Sequence, residues 1–319
     1  MNMKKYYLHL SLCLLAGLCI TLTACNDDDD PDIAPTSNAQ NANSNAGKGI
    51  NGVTENPNTT NIKEVACRLE IPQLKGGDKN LFIVHTVPTY GVNYCMEYDC
   101  TVKAQRWSAF RWDASNAVIN WQRSNWEKTE WEGDPFQEDP LIPAAYRTTL
   151  ADHRSNGYDR GHILGSQDRM NSKDANEQTF YLSNIHPQAN AFNAQGIWYE
   201  LENRLRNTYN RNSFRDTLYV VKGGTIRDGE YTRAKGIPVP KYFFMALLRK
   251  KNSDKTQGGY AAIGFWMEHK ANADKNFAQY AVSIKRLEEL TGLDFFCNLP
   301  DNIEAQVESN LVLSVWGLK

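Results

Sequence analysis

Short runs of apolar, β-branched and aromatic residues recur along the chain, and turn residues such as glycine and proline separate them. Runs of this length and composition are typical of β-strands. The pattern predicts strands at Leu81–His85, Tyr94–Tyr98, Trp107–Trp112, Thr179–Ile185, Leu218–Val221, Tyr242–Leu248 and Tyr260–Met267.

Helical periodicity stands out in two segments. One starts near Asn193, and the other starts at Ser283 and stops at Gly292. Apolar residues recur at helical spacing in both, and they are Ile197, Trp198, Leu201 and Leu205 in the first segment and Ile284, Leu287 and Leu290 in the second. Strands predominate and the helices are separated, so we predict an α+β fold with a largely antiparallel sheet core.

Residues 1–25 have the features of a secretory signal. Two lysines precede the apolar stretch Leu8–Leu22, and small residues lead into Cys25. The ending resembles a bacterial lipobox, in which the cysteine is lipidated and becomes the new N-terminus. We therefore expect an exported protein that a lipid anchor at Cys25 attaches to a membrane. An ordinary signal peptide is the alternative.

Residues 26–64 are expected to form a flexible polar linker, and residues 65–319 the globular domain. Pro31–Ile62 has too few apolar residues to order itself. Asp27–Asp30 resembles the surface-export signal of some Gram-negative lipoproteins, although a solvated charged linker would look the same. The expected location is the outer membrane or surface of a Gram-negative bacterium, and otherwise the periplasm or the medium.

The charge balance limits how the domain could bind a polyanion. The whole chain has 35 basic and 37 acidic residues and a formal charge of −2. Four of the basic and seven of the acidic residues precede residue 65, so the domain has 31 basic and 30 acidic residues. A near-neutral domain binds a polyanion through a local basic patch and not through its net charge.

Four cysteines remain after the signal, at Cys67, Cys95, Cys100 and Cys297. An even number in an exported protein predicts two disulfides, with three connectivities open. Cys95 with Cys100 would close a small loop, and Cys67 with Cys297 would join the two ends of the domain. Four buried free thiols are the alternative.

Three clusters between residues 158 and 206 hold the residue types that phosphodiester hydrolysis needs. Tyr158–His162 supplies a carboxylate, a guanidinium and an imidazole, and strand alternation would put Arg160 and His162 on one face. Imidazole accepts a proton near neutral pH, and guanidinium binds phosphate through two parallel hydrogen bonds. The other clusters are Ser183–Gln188 with Asn193, and Trp198–Glu202 with Arg204 and Arg206. Their amide and carboxylate oxygens suit Mg²⁺.

These clusters resemble the DNA/RNA non-specific endonucleases, the ββα-metal or His-Me finger nucleases that include endonuclease G and secreted sugar-nonspecific nucleases. The resemblance covers roughly residues 85–305. Its blocks are Asp159–His162, Thr179–Gln188 and Trp198–Glu202, with outlying likenesses at Asn93–Tyr98, Arg106–Phe110, Ile237–Pro240 and Leu290–Phe296.

The resemblance implies a role for each matching residue. His162 would be the general base that activates water, Asn193 the direct ligand of Mg²⁺, and Glu202 the residue that holds metal-bound waters. Mn²⁺ is the alternative cation.

Four further residues would serve the phosphate or support the site. Arg206 would face the phosphate, and Arg160 would belong to the active-site wall. Asp159 would support its neighbours without binding the metal. An upstream arginine also contacts phosphate in this family, and Arg123 is the candidate here.

Two departures from the family pattern matter. Glu202 follows Asn193 by nine residues, whereas the family usually has one residue fewer. Each residue of a straight helix turns about 100°, so the extra residue would move the carboxylate to the far side. Either an irregular turn near Ala194 or Gln195 absorbs it, or Glu200 takes the role. Cys297 stands where proline is common.

Each assignment has an ordinary structural alternative. His162 could be a packed histidine, Asn193 a helix N-cap, and Glu202 with Arg206 a surface ion pair. No zinc-type His-Glu-x-x-His motif and no Gly-x-Ser-x-Gly elbow occurs in the sequence.

The predicted function is a Mg²⁺-dependent endonuclease that hydrolyses DNA and RNA with little sequence preference. The resemblance implies 5′-phosphate products. The rival hypothesis is a catalytically inactive surface lipoprotein that binds nucleic acid or another polyanion. The oligomeric state stays open, and a homodimer is among the alternatives.

Overall fold

The computed structural model describes residues 41–126 and 133–319. The predicted signal, the predicted lipidation site at Cys25 and the first part of the predicted linker lie outside these residues. Within the two described ranges, the helices are too short or too polar for any of them to cross a membrane.

An eight-stranded sheet forms the centre of the molecule. The strands in chain order are β1 Gly52–Thr54, β2 Asn80–Val87, β3 Gly91–Asp99, β4 Ala104–Trp112, β5 Asp159–His162, β6 Ile185–Gln188, β7 Thr217–Gly224, β8 Tyr231–Ala234, β9 Ile237–Pro240, β10 Tyr242–Lys250, β11 Tyr260–Glu268 and β12 Ala281–Val282. The sheet order is β1-β2-β3-β4-β7-β10-β11-β12, and β5–β6 and β8–β9 form separate antiparallel pairs. β1 pairs with β2 in parallel, while the other neighbours in the sheet are antiparallel. The predicted α+β class with a largely antiparallel sheet is confirmed.

Short helices surround the sheet. They are α1 Ile62–Ala66, α2 Leu150–His153, α3 Lys173–Gln178, α4 Asn190–Asn193, α5 Ile197–Arg204, α6 Ile284–Thr291 and α7 Asp301–Ser309, and α5 continues as a π-helical turn over Leu205–Tyr209. Short 3₁₀ segments lie at Arg123–Asn125, Ala144–Tyr146, Ser166–Asp168, Leu182–Asn184, Thr256–Gly259, Phe277–Gln279 and Leu313–Trp316. Ser283 caps α6 by accepting a hydrogen bond from the backbone N–H of Arg286, and Gly292, with φ +68°, ends it.

Both faces of the sheet are buried. Along β10, Phe243, Met245 and Leu247 face one core, which α5 covers. The intervening Phe244, Ala246 and Leu248 face a second core, which α6 and α7 cover. Strands that are buried on both faces become continuous apolar runs, which explains why the sequence shows these strands as runs and not as alternation.

Six of the predicted strands and both predicted helices are present. The strand predicted at Thr179–Ile185 is wrong, because most of it forms a turn and a 3₁₀ segment before β6 begins at Ile185. Phe180 and Leu182 are apolar because they fill a small third core with Phe136.

Residues 41–64 differ from the expected flexible linker, because they pack on the domain. β1 adds a strand to the sheet edge. The buried amide of Asn45 donates to the carbonyl oxygens of Ala66 (2.9 Å) and Pro72 (3.1 Å). The Glu55 carboxylate lies 2.6 Å from Nδ1 of the fully buried His85. Backbone pairing and buried polar contacts order this segment despite its low apolar content.

The predicted disulfide pairings among the four cysteines are wrong. Cys95, Cys100 and Cys297 are buried free thiols, so neither Cys95–Cys100 nor Cys67–Cys297 forms. Cys95 faces the second core and Cys100 the first, so the sheet separates their sulfur atoms. Burial raises the pKa of Cys95 and Cys100.

Candidate active site

The β5–β6 hairpin presents the first cluster of polar residues. Strand alternation along β5 turns Arg160 and His162 to the same side, and both line one cavity, as predicted. Gly161 lies between them, where a Cβ would overlap the buried side chain of Gln188 on β6. Glycine at this position therefore allows the two strands to approach.

Asn184 fixes the backbone just beyond the hairpin. Its Oδ1 accepts from the N–H of Leu164 at 3.0 Å, and its Nδ2 donates to the carbonyl oxygens of Leu164 (2.9 Å) and Thr179 (2.8 Å). The side chain is fully buried. Because its amide bonds main-chain groups on both sides, Asn184 holds the end of β5, and with it His162, in place.

A cavity of about 670 Å³ lies beside the hairpin and α5. Apart from the alternative Glu200, every described residue for which the sequence predicted a part in catalysis or metal binding lines it. They are Arg123, Asp159, Arg160, His162, Asn193, Glu202 and Arg206. The fold thus brings together residues that lie up to 83 positions apart in the chain (Arg123 to Arg206).

His162 is held as a neutral imidazole. Burial, together with the positive charges of Arg123 and Lys222, lowers the pKa of the ring to about 3, although Asp168 opposes the shift. The ring packs against Phe180, 4.7 Å between centroids, and Phe136, 5.4 Å. Nε2 is buried and has no hydrogen-bond partner among the described residues. The ring borders the cavity, where it can meet a water.

Asp159 orients two amides of α4. Its Oδ2 accepts from Nδ2 of Asn190 at 2.9 Å and from Nδ2 of Asn193 at 3.2 Å. The bond to Asn193 directs the opposite amide atom, Oδ1, away from Asp159. This geometry suits the supporting role expected for Asp159 and leaves an oxygen of Asn193 for a cation.

The extra residue between Asn193 and Glu202 falls in a break between two helices. α4 ends at Asn193, and α5 begins only after the extended N-cap Gly196. A Cβ at Gly196 would overlap the carbonyl oxygens of Ala191 and Phe192, so the break requires glycine. Glu202 consequently lines the cavity, whereas Glu200 is exposed and does not.

A buried network of charges lies behind Glu202 and Arg206. Lys222 on β7, which is fully buried, contacts the Glu202 carboxylate and lies 3.4 Å from Oδ2 of Asp168. Arg206 donates from Nη1 to Oδ1 of Asp168 at 3.0 Å. Burial would raise the pKa of Asp168, but Lys222 and Arg206 outweigh burial and lower it. The charges of Lys222 and Arg206 thus balance those of Glu202 and Asp168. These contacts hold Glu202 and Arg206 at the wall of the cavity.

The lining arginines supply the local basic patch that the near-neutral domain requires. Arg160 places Nη1 3.0 Å from both carboxylate oxygens of Asp134, and its guanidinium lies 4.0 Å from the ring centroid of Phe136. Arg123 lies 5.3 Å from the centroid of Phe180. These contacts fix the guanidinium planes at the wall of the cavity.

The oxygen donors in the cavity fit a small, hard cation. The amide oxygen of Asn193 and the Glu202 carboxylate belong to the class of ligand that Mg²⁺ takes, and Mg²⁺ needs few protein ligands because it keeps several waters. Together with a neutral imidazole and several arginines, they form a set that can bind a phosphodiester, hold a cation and accept a proton.

The model of the DNA/RNA non-specific endonuclease family matches residues 82–302. The chain belongs to this family. Members of the family are metal-dependent nucleases.

Curated relatives in the endonuclease family match about half of this chain. Nuclease C1 of Cunninghamella echinulata var. echinulata is 32% identical over 168 residues, which are 50% of this chain and 64% of that protein. The nuclease of Nostoc sp. is 30% identical over 175 residues, 53% and 62% of the two chains. Mitochondrial endonuclease G of Homo sapiens is 31% identical over 173 residues, 50% and 54%. The chain therefore spans less than two thirds of the length of each relative.

A solved structure shows the same endonuclease-family fold. A chain of the EndoG/EndoGI complex superposes with a TM-score of 0.55 at 22% identity, covering 70% of this chain and 88% of that chain. The β5–β6 hairpin followed by α4 and α5 corresponds to the ββα-metal arrangement of that fold.

Sequence reasoning missed three residues that support the site of this endonuclease-family chain. They are Asp134, Asp168 and Lys222, which bind Arg160, Arg206 and Glu202 respectively. A signal for Lys222 was present, because a lysine directly follows the apolar run Leu218–Val221. A charge that continues a buried strand requires a buried partner.

Proposed function

We propose that this protein is a Mg²⁺-dependent endonuclease that hydrolyses the phosphodiester bonds of DNA and RNA without sequence preference. The observation that carries the proposal is the neutral ring of His162, which shares one cavity with the oxygens of Asn193 and Glu202 and with several arginines. Family membership supports the reaction class.

His162 serves as the general base. Nδ1 accepts the proton of a water as the water oxygen attacks phosphorus, and the bond from phosphorus to the 3′-oxygen breaks. The leaving oxygen takes a proton, and the products carry a 5′-phosphate and a 3′-hydroxyl. The neutral state of the ring near pH 7 leaves Nδ1 free to accept that proton.

The other residues bind the phosphate and hold the cation. Arg206, Arg160 and Arg123 contact phosphate oxygens, which fixes the backbone without reading the bases. Asn193 would hold Mg²⁺ through Oδ1, and Glu202 would hold waters of its hydration shell. When bound, the ion supplies a Lewis acid that stabilises negative charge on the leaving oxygen.

Plasmid nicking tests the proposal. Wild-type protein should convert supercoiled plasmid to nicked circles with Mg²⁺ and stop when a chelator is added. His162→Ala should reduce the rate by about 10²–10⁴-fold while the protein remains folded. A folded His162→Ala variant that nicks at the wild-type rate would refute the general-base assignment.

Asn193→Ala tests the cation site separately. The expected result is a rate that no longer rises with Mg²⁺ over the wild-type range, and an unchanged titration curve would contradict the ligand role. If wild-type protein retains nucleic acid on a filter but never nicks it, the hypothesis of an inactive binding protein is correct instead.

Export and lipid anchoring form a separate part of the proposal. The apolar stretch before Cys25 and the lipobox-like ending support them. Full-length protein should partition into the detergent phase of a cell extract, and Cys25→Ala should move it to the aqueous phase. Aqueous partitioning of the unchanged chain would contradict the anchor.

A further inference from the structure

We propose that Tyr158 and Tyr199 stack on unpaired bases, so that the cavity favours single-stranded nucleic acid, or unpaired stretches of a duplex, over intact duplex. The inference rests on the proposed function and names the class of substrate that the same site prefers.

The two tyrosines stand out by their exposure. Among the large hydrophobic side chains of residues 41–126 and 133–319, five are exposed, and the two aromatic ones are Tyr158 (37%) and Tyr199 (42%). Both line the catalytic cavity. A single exposed aromatic ring has no special meaning, but the coincidence of both rings with this cavity indicates a shared ligand.

Tyr158 is placed next to the residues that hold the cation. It immediately precedes Asp159, whose carboxylate orients Asn193. Its ring centroid lies 6.0 Å from that of His269 at an interplanar angle of 34°. Both nitrogens of His269 are engaged, Nδ1 with the carbonyl oxygen of Pro240 (2.9 Å) and Nε2 with the N–H of Ala189 (2.7 Å). Tyr158 therefore lies beside a fixed ring.

Tyr199 lies on the other element that contributes to the cavity. It is on α5, three residues before Glu202, and it lines the same cavity as Arg206. A nucleotide whose phosphate meets Arg206 would thus have an aromatic ring within reach of its base.

The chemistry of stacking sets the preference. Phosphate contacts from the arginines serve single strands and duplexes alike. In a duplex the faces of each base are covered by its neighbours, whereas an unpaired base can turn out and stack on a ring. Every base has an aromatic face, so this preference requires no sequence. Each ring should contribute about 5- to 150-fold to single-strand affinity.

Binding in an inactive background tests the inference. His162→Ala protein would be titrated, with fluorescence anisotropy, against a 12-nucleotide oligothymidine, the same strand with abasic sites, and a 12-base-pair duplex. Tyr158→Ala and Tyr199→Ala should each lower the ratio of single-strand to duplex affinity by about 5-fold or more. Phenylalanine at either position should keep the ratio, because its ring stacks without the hydroxyl.

Two controls distinguish stacking from a general loss of affinity. On the abasic strand the two alanine variants should bind like their parent, because no base remains to stack. Tyr231→Ala, which changes a half-buried tyrosine outside the cavity, should leave the ratio unchanged. The inference is overturned if both alanine variants keep the parent's ratio of single-strand to duplex affinity, or if they lose affinity for the oligothymidine and for the abasic strand equally. It is also overturned if the phenylalanine variants lower the ratio.

Failure of this inference is distinguishable from failure of the proposed function. Wild-type protein that nicks plasmid but shows no tyrosine effect retains the nuclease assignment and loses the stacking role. Protein that prefers single strands through its tyrosines but never nicks retains the stacking role and loses the nuclease assignment.

Discussion

Lys222→Met is expected to damage both the stability and the activity of this protein. Methionine matches the length of the lysine stem but removes the charge that faces Glu202 and Asp168. Arg206 would then be the one cation left in the network against two carboxylates. Removing one partner of a buried ion pair costs about 3–5 kcal/mol, because the remaining charge stays buried without compensation. In a domain of this size the melting temperature should fall by roughly 6–20 °C.

The activity should fall for a second reason. Lys222 and Asp168 do not line the cavity, but they hold Glu202 and Arg206, which do. Loss of a residue that orients a metal-site ligand typically lowers metal affinity or activity by about 10- to 100-fold. We expect that loss in the nicking rate at 20 °C, where the variant is still folded, together with a higher Mg²⁺ concentration at half-maximal rate.

Lys250→Met provides the matched control. Lys250 is also buried in the central sheet, but its ammonium donates to the carbonyl oxygen of Gly258 at 3.1 Å and does not line the cavity. This variant should keep the wild-type Mg²⁺ dependence whatever its melting temperature. If Lys222→Met melts within about 2 °C of wild type and shows an unchanged Mg²⁺ titration, the charge network does not hold Glu202 and Arg206 in the site.

Two other predictions follow from packing and from a buried charge. Gly161→Ala should lower stability by about 1–3 kcal/mol in urea unfolding, because its Cβ would overlap Gln188, whereas Gly49→Ala, which meets no atom within 4 Å, should be neutral. Burial lowers the pKa of His85, but Asp139 and a second carboxylate outweigh it and raise the pKa from 6.5 to about 9. The charged ring therefore stabilises the fold fully below pH 6.5, and this contribution is lost as the pH rises through 9. The difference in stability between wild type and His85→Gln should be about 3 kcal/mol at pH 6 and should shrink by pH 10; a difference that grows with pH would contradict the charged pair.

The cavity-lining residues could be predicted because most of them lie in short contiguous motifs that resemble those of the endonuclease family. Arg160 and His162 share a four-residue strand, and Glu202 and Arg206 share one helical segment. Local periodicity alone puts such residues on one face. The helix and strand predictions succeeded for a related reason, because buried runs and caps such as Ser283 are visible in a few consecutive residues.

What the sequence did not reveal depends on contacts between distant residues. The ion pair of Lys222 and Asp168 spans 54 positions, and that of His85 with Asp139 also spans 54. The polar segment before residue 65 looks disordered by composition, yet Asn45 and Glu55 order it through bonds to residues that follow much later. The cysteines were misassigned because the sheet that separates Cys95 from Cys100 is itself a product of long-range pairing.

The tolerance of the extra residue follows from the same long-range contacts. If the position of Glu202 depended on its distance from Asn193 along one straight helix, an added residue would turn the carboxylate away from the cavity. α4 and α5 are instead separate helices. Lys222 on β7 holds α5 through Glu202, and Asp168 holds the π-helical turn after α5 through Arg206. The link of Ala194, Gln195 and Gly196 therefore accommodates the extra residue, because Lys222 on β7 contacts the Glu202 carboxylate. The unusual spacing between Asn193 and Glu202 is consequently weak evidence that the site is inactive. The position of Glu202 is determined by its buried partner Lys222 and not by its distance from Asn193 along the chain.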